Sequence, residues 1–231
     1  MKKTLSALLT VIAITCLATS SHAGFSVGGA LSYAMTDASG TETDGTSTGA
    51  STTDSSTRTK SVDNKIFLGS LYAEYTFDNL LGVTLGAQTT PGSADVSEKT
   101  FTRTDTSEGK AADGDAAGAS TFTAQAEVSN FVNYYIEVPV YGGLFVKAGH
   151  SSIDVETVDA NTNTNHGTYG DKSLDGVNLG IGYKAVVDNL VWKIAYENTN
   201  FDTLKLTSTT NNTISADLDI DAINLTVGYQ F

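Results

Sequence analysis

The chain has 231 residues, and its 26 Asp and Glu outnumber its 13 Lys and Arg, so the formal net charge is −13 at pH 7. This balance argues against nucleic acid as a partner, because phosphate binding needs clusters of basic side chains and the sequence has none. Only 2 residues are proline, and Thr, Ser, Tyr and Val are abundant, which favours strands. After residue 24 no run is long and apolar enough for a membrane-spanning helix.

The first residues have the organisation of a secretory signal peptide. A basic start, Lys2 and Lys3, precedes an apolar run at 5–17 and a small-x-small cleavage site at 21–23. We therefore predict a signal peptide at 1–23.

The mature domain is then 24–231, and it lacks the only cysteine, Cys16. It therefore has no disulfide framework and no thiol nucleophile. Loss of the two lysines takes its net charge from −13 to −15. It contains no nucleotide-binding loop, zinc spacing or Ser-His-Asp order, so we expect no cofactor and no metal.

From residue 25 onward, apolar side chains recur at every second position in runs of about ten residues, which is the signature of a half-exposed strand. Eight such runs follow one another, at 25–35, 65–77, 80–88, 123–140, 143–155, 174–185, 190–200 and 216–231.

The connections between these runs alternate in length. Tight turns are predicted at 78–79, 141–142 and 186–189, where the residues suit turns. The other connections are long and polar: 36–64, 89–122, 156–173 and 201–215. Short turns at one end and long loops at the other are typical of transmembrane β-barrels.

The two faces of the predicted strands differ in size and polarity. One face carries bulky Leu, Val, Ile, Tyr and Phe, which suits lipid, whereas the other is small and polar. The small face also holds mid-strand charges that we expect to pair inside a barrel: Glu74, Glu137, Lys147, Lys184, Lys193 and Glu197. We predict an all-β, eight-stranded antiparallel up-and-down transmembrane β-barrel; the alternative is a soluble β-sandwich whose charged face meets water.

The last run has bulky apolar side chains at five successive second positions: Ile223, Leu225, Val227, Tyr229 and Phe231. This pattern resembles the C-terminal signal by which barrel assembly machinery recognises outer-membrane barrels. Residues 145–149 also resemble the middle-strand pattern of the general outer-membrane β-barrel family. The whole of 24–231 resembles the small eight-stranded families, namely the OmpA transmembrane domain, OmpX and the opacity-type proteins. The resemblance implies the outer membrane of a Gram-negative cell, with outer-membrane lipid and lipopolysaccharide as surroundings.

Three constellations are candidates for chemistry. The lumen charges form either an ion path or internal salt bridges, and we favour salt bridges because eight strands leave room only for side chains. His150 and Ser152 share the lipid face and resemble the pair in lipid A deacylase barrels, although no matching acid is evident and an interfacial histidine is the simpler interpretation. His166 has no partner motif.

The third constellation is acidic. Asp217, Asp219 and Asp221 alternate with Leu218 and Ile220, so their carboxylates could bind calcium or belong to a solvated strand extension, which we favour. The apolar positions switch from even to odd numbers after this segment, which predicts a β-bulge near 221–223.

We expect a structural or surface-interaction role, in adhesion or envelope integrity, in which long acidic extracellular loops contact an extracellular ligand or host surface. A narrow porin-like channel for ions or small solutes is the alternative, and a lipid A-modifying hydrolase is a third. We expect no enzymatic activity.

Overall fold

The computed structural model describes residues 24–43, 57–97, 101–105, 120–161, 169–208 and 212–231. The predicted signal peptide and His166 lie outside these ranges. No helix in the described part is long and apolar enough to cross a membrane. The strands are β1 (Gly24–Thr43), β2 (Thr57–Phe77), β3 (Val83–Asp95), β4 (Phe101–Asp105), β5 (Ser120–Tyr141), β6 (Leu144–Asn161), β7 (Lys172–Val187), β8 (Leu190–Phe201), β9 (Leu204–Thr207) and β10 (Thr213–Gln230).

These strands close into a barrel. Neighbours pair antiparallel in the order β1-β2-β3-β5-β6-β7-β8-β10, and β10 pairs with β1 along its whole length. The two short strands continue interrupted ones: β4 pairs with β5 beyond the end of β3, and β9 pairs with β10 beyond the end of β8. The predicted eight-stranded up-and-down barrel is therefore confirmed.

One end of the barrel, which we call the turn end, carries the tight turns at 78–82, 142–143 and 188–189. The first turn differs from the prediction, because Asp78–Leu80 forms a 3-10 turn and Leu81 has a φ of 57°. The third strand thus begins at Val83 instead of residue 80. The opposite end, the loop end, carries the longer connections.

The strands are much longer than a bilayer requires. A tilted strand crosses the hydrocarbon with about 9–11 residues, whereas β1 has 20 residues and β5 has 22. Much of the predicted loop at 36–64 is therefore wrong, since β1 extends to Thr43 and β2 begins at Thr57. The barrel wall continues beyond the membrane at the loop end.

A belt of exposed apolar side chains surrounds the turn-end half of the barrel and contains residues such as Leu31, Leu85, Ile181, Trp192 and Leu225. Aromatic rings pair at its edges: Tyr33 with Phe67, Tyr75 with Phe77, Phe25 with Phe231, and Tyr229 with Phe231. Such a belt is stable only in hydrocarbon, and the closed ladder satisfies the backbone there. The barrel is therefore a transmembrane one.

Beyond the belt, the polarity of the two faces is reversed. On β10 the outward positions continue as Asp221, Asp219 and Asp217, whereas Leu218 and Ile220 point inward. Leu218 belongs to a buried cluster, here called the apolar core, which has the following members: Val96, Ile153, Val155, Leu174, Phe201 and Leu218. The loop-end half thus has an apolar cluster in its interior and a polar outer surface, like a water-soluble protein.

The predicted β-bulge near 221–223 is wrong. The pairing of β10 with β1 runs without a shift from Thr213 to Gln230, and its pairing with β8 is equally regular. The apolar positions change parity because the surroundings of the outer face change from hydrocarbon to water, while the backbone geometry stays the same. Register shifts occur elsewhere, in β3 between Thr90 and Ser93 and in β5 between Ser129 and Val132.

The apolar core makes a testable contribution to stability. Leu218→Ala should lower the free energy of unfolding by about 2–5 kcal/mol, because Leu218 is buried and its removal leaves a cavity. Asp219→Ala, one position along on the outer face, should cost about 1 kcal/mol or less. Urea unfolding of the mature protein in lipid vesicles measures both. Equal losses in the free energy of unfolding for the two substitutions would contradict an inward Leu218 and an outward Asp219.

Candidate functional site

The six lumen charges predicted from the sequence all project from inward faces of strands in the turn-end half. We call them the lumen charge cluster. Glu74 comes from β2, Glu137 from β5, and Lys147 from β6; Lys184 comes from β7, and β8 supplies Lys193 and Glu197. Each lies on the small-residue face because side chains alternate along a strand and the bulky neighbours face lipid.

The centre of the cluster is a lysine held by two carboxylates. Lys193 Nζ donates to Glu137 Oε2 at 2.8 Å and Oε1 at 2.9 Å, and it also donates to Glu74 Oε1. The three side chains are at most 5% exposed. Glu74 Oε1 also accepts the Tyr135 hydroxyl at 2.6 Å. A buried charge needs such partners, because the desolvation cost is otherwise uncompensated.

A second ion pair lies beside the first. Lys147 Nζ donates to Glu197 Oε1 at 2.8 Å and lies 3.9 Å from the centroid of the Tyr135 ring. Tyr135 thus touches both groups, through its hydroxyl on Glu74 and through its ring on Lys147. The two ion-paired groups, joined through Tyr135, form one polar layer across the lumen.

Lys184 lies apart from this layer. Its Nζ donates to Thr76 Oγ1 at 3.4 Å, towards the turn end, and Thr76 and Thr84 share a 2.9 Å hydrogen bond. The structure therefore brings five of the six predicted charges into two direct ion-paired groups and leaves Lys184 beside them. With three acids and three bases, the cluster is formally neutral.

Three inward aromatic rings, which the sequence analysis missed, fill the space around the charges. The rings of Tyr135 and Phe145 lie where a β-carbon on Gly86 and Gly182 would be, so only glycine fits opposite them. Tyr72 lies against Gly228 in the same way. The sequence contained a signal for them. Each of the three aromatic residues occupies an alternate position that belongs to the inward face, where the other side chains are small or charged.

Together the charges and rings close the lumen at this level. Lys193 lies 5.5 Å from the centroid of the Tyr72 ring and 5.7 Å from that of Phe145. A solute crossing here would have to separate ions that have little water to replace their partners. The arrangement is suited to stabilising and closing the barrel.

His150 lies on the outer face at the loop-end edge of the belt. Its Nε2 is 3.4 Å from Asp175 Oδ1, and both side chains are largely exposed. The sequence analysis missed this acid because it comes from the neighbouring strand, where Asp175 is paired with Ser152. The three residues lie on one outer surface, with the His150 ring directed at the carboxylate.

The predicted acidic constellation is a ladder across two strands. Asp221 Oδ1 accepts from the Tyr196 hydroxyl at 2.6 Å and from Asn198 at 3.0 Å. Asp219 accepts from Asn200, and Asp217 from Thr203 at 2.7 Å. Each carboxylate faces its own donor, so the three do not converge on one point. Among the described residues, no group of His, Cys, Asp or Glu could hold a metal ion.

The predicted C-terminal assembly signal lies on the lipid-facing side of β10. All five of its side chains are exposed on the belt: Ile223, Leu225, Val227, Tyr229 and Phe231. The Phe231 amide donates to the Phe25 carbonyl at 2.9 Å, which fastens the last residue to β1. Recognition of this segment by assembly machinery stays a prediction.

Comparison with known proteins identifies no family for this chain. No protein-family model matches the chain, and no curated protein matches it either. Neisserial surface protein A is similar over 91% of this chain and 100% of its own, with 13% identity and a TM-score of 0.43. Ail, the attachment invasion locus protein of Yersinia pestis, is similar over 90% and 99%, with 13% identity and a TM-score of 0.39.

The outer membrane protease OmpT from Escherichia coli is also similar, over 90% of this chain and 97% of its own, with 11% identity and a TM-score of 0.44. Likenesses this distant concern the path of the chain and carry no argument about activity. The resemblance to small outer-membrane barrels expected from the sequence is confirmed as one of fold, by the closed ladder of this chain itself.

The central ion pair makes a testable prediction. Lys193→Met should lower the free energy of unfolding by about 3–5 kcal/mol, because it leaves Glu74 and Glu137 buried without their cation. Lys193→Met combined with Glu74→Gln and Glu137→Gln should recover most of this loss. Urea unfolding in vesicles measures both variants, and a triple variant no more stable than the single one would contradict the role assigned to Lys193.

Proposed function

We propose that this chain is a non-enzymatic outer-membrane protein of a Gram-negative cell with a surface-interaction role, in adhesion or envelope integrity. The working part is the loop-end half of the barrel, which projects into the medium outside the cell. The short turns then face the periplasm, as is usual for such barrels.

The observation that carries this proposal is the continuation of the strands beyond the belt. β1, β2 and β10 remain paired as far as Thr43, Thr57 and Thr213. The apolar core inside them holds this projection as a folded wall, so that it presents side chains in fixed positions. Rigid presentation lowers the conformational entropy that binding removes.

The outer surface of this projection is acidic. Asp37 and Asp63 extend outward on β1 and β2, and the ladder of Asp217, Asp219 and Asp221 extends on β10. This surface suits a cationic partner on a host cell or another envelope component, and the attraction would weaken as salt is added. Lipopolysaccharide and outer-membrane lipid are the proposed surroundings of the belt.

A narrow channel is the second candidate, because empty space lies within the charged layer and continues from it towards the loop end. A small cavity of about 20 Å³ beside Lys193 shares Gln88 and Glu197 with the larger cavity towards the loop end. Movement of the side chains between them would join the two.

Whole-cell attachment tests the first role. A gene-deletion strain should attach less to host cells or to cationic beads than the wild type, and the wild-type gene should restore attachment. The variant Asp217→Asn/Asp219→Asn/Asp221→Asn should restore it only in part, because it removes charge from the projecting wall. Asp78→Asn/Asp188→Asn, at the turn end, is the matched control and should restore it fully. A deletion strain that attaches and resists detergent like the wild type would refute the proposal.

Conductance tests the second role. The purified wild-type barrel in planar bilayers should show little or no steady current, because the lumen charge cluster blocks the path. Lys193→Ala/Glu74→Ala/Glu137→Ala, if it folds, should raise the current by removing the central layer. A large, porin-like current from the wild type would show that the layer opens readily and would favour the channel.

A further inference from the structure

The backbone ladder of the barrel wall is interrupted between β2 and β3. These strands pair with each other only over Leu71–Phe77 and Val83–Thr89. Both continue towards the loop end, where β2 pairs with β1 and β3 pairs with β5. In the described ranges no backbone ladder joins them beyond Leu71 and Thr89, and we call this gap the side opening.

The limits of the side opening are marked by hydrogen bonds. On the turn-end side, Gln88 Nε2 donates to Ser70 Oγ at 2.8 Å. On the loop-end side, Asn64 Nδ2 donates to the Asp95 carbonyl at 2.9 Å. Between these two contacts no backbone pairing joins the strands, and we treat the part of the gap that they bracket as a window.

The local sequence of β3 explains the separation. Pro91 has no backbone N–H, so it leaves no donor unpaired on an open strand edge. Gly92 has a φ of 96°, and the register of β3 on β5 shifts between Thr90 and Ser93. Such a bulge bends its strand and here accompanies the divergence of β3 from β2.

A mostly apolar cavity lies behind the side opening. Its volume is about 90 Å³, and it lies between the lumen charge cluster and the apolar core. Ile66 and Leu68 of β2 line one side of it, Pro91 and Gly92 line the other, and Ile220 lines it from β10. Residues of the window frame and of the barrel interior thus belong to one continuous space.

The β2 edge of the window borders the lipid-facing belt, whereas the β3 edge carries Pro91, Gly92 and Ser93, which are exposed. Phe67 and Leu71, on the outer face of β2, are 80% and 57% exposed and belong to the lipid-facing belt. Gly69 lies between them, and a β-carbon there would meet nothing within 4 Å. One polar group inside is unused: the buried Ser129 Oγ lines the cavity and has no hydrogen-bond partner in the described structure.

We propose that this cavity binds a single alkyl chain with an uncharged polar group, which enters sideways from the bilayer through the side opening. The apolar walls accept the chain, and Ser129 provides a hydrogen-bonding group for the polar end. An anionic end is disfavoured because Glu197 lines the same cavity. This binding is independent of the proposed surface role, since it needs the lumen and the belt but not the acidic wall.

A photoreactive probe tests the proposal. The mature protein in lipid nanodiscs is irradiated with a long-chain alkanol that carries a diazirine, and labelled peptides are mapped by mass spectrometry. We expect label on inward residues such as Ile66, Leu68 and Ile220. Label confined to outward residues such as Phe67 and Leu71 would overturn the proposal, and this result requires no variant.

Variants then test occupancy of the cavity. Ala222→Phe places a ring in the cavity and should reduce the inward labelling about tenfold, because displacing roughly two methylenes costs about one factor of ten in affinity. Ala148→Phe makes the same change on the lipid-facing side of β6 and should leave the labelling unchanged. Unheated gel migration confirms that each variant is folded. Equal inward labelling in both variants would overturn the proposal.

The route of entry is tested by a substitution at the edge of the side opening. Gly69→Trp places an indole beside the side opening and should slow the inward labelling by membrane-borne probe, whereas Gly29→Trp, on the outer face of β1, should not. Inward labelling that is unaffected by Gly69→Trp would show that the ligand enters from the medium and would overturn the sideways route.

Discussion

The pairing of β1 with β10 is the constraint on which the rest of the structure depends. It turns the sheet into a closed ladder, in which the backbone groups of both terminal strands are satisfied. Inside hydrocarbon an unpaired backbone group has no water to bind, so an open edge there would be costly. Closure also gives every strand one face towards the lumen and one towards the surroundings of the barrel, so its alternate side chains must suit two different environments.

Along the strands, the surroundings of the outer face change from lipid to water. At the turn end the outer face touches lipid and the interior is polar; at the loop end the outer face touches water and the interior is apolar. The change occurs within single regular strands, as β10 shows between Asp221 and Ile223. The same backbone therefore combines a membrane barrel with a water-exposed one, and the second provides a folded wall outside the bilayer.

The lumen charge cluster and the side opening together determine which paths lead out of the barrel interior. Lys193 and its two carboxylates close the axial path by filling it with paired charge. The apolar core fills the interior towards the loop end with packed side chains. The space left between them reaches the outside through the wall, where β2 and β3 part, so the barrel has a lateral route although its axis is closed.

The sequence by itself determined the architecture: eight alternating runs, short turns at one end, a lipid-facing side and a set of inward charges. These follow from side-chain alternation, which is a local property that survives any change of register. It also placed Glu74, Glu137 and Lys193 on one face, although it could not pair them, because which charges meet depends on how far each strand is shifted against strands on the opposite wall.

Only the tertiary structure decided the position of the bilayer boundary and the contacts between different strands, because side-chain alternation within one strand contains neither. The parity change after Ile220 suggested a bulge, but it reflects the height of the bilayer boundary, which is a property of the assembled barrel and its surroundings. Asp175 contacts His150 from the neighbouring strand, and the rings of Tyr72 and Tyr135 pack against glycines on other strands. Such contacts depend on how the strands pair. The side opening could not be predicted for the same reason: a missing ladder is a relation between two strands, and the bulge at Pro91 and Gly92 that accompanies it shows in the pairing of β3 with β5.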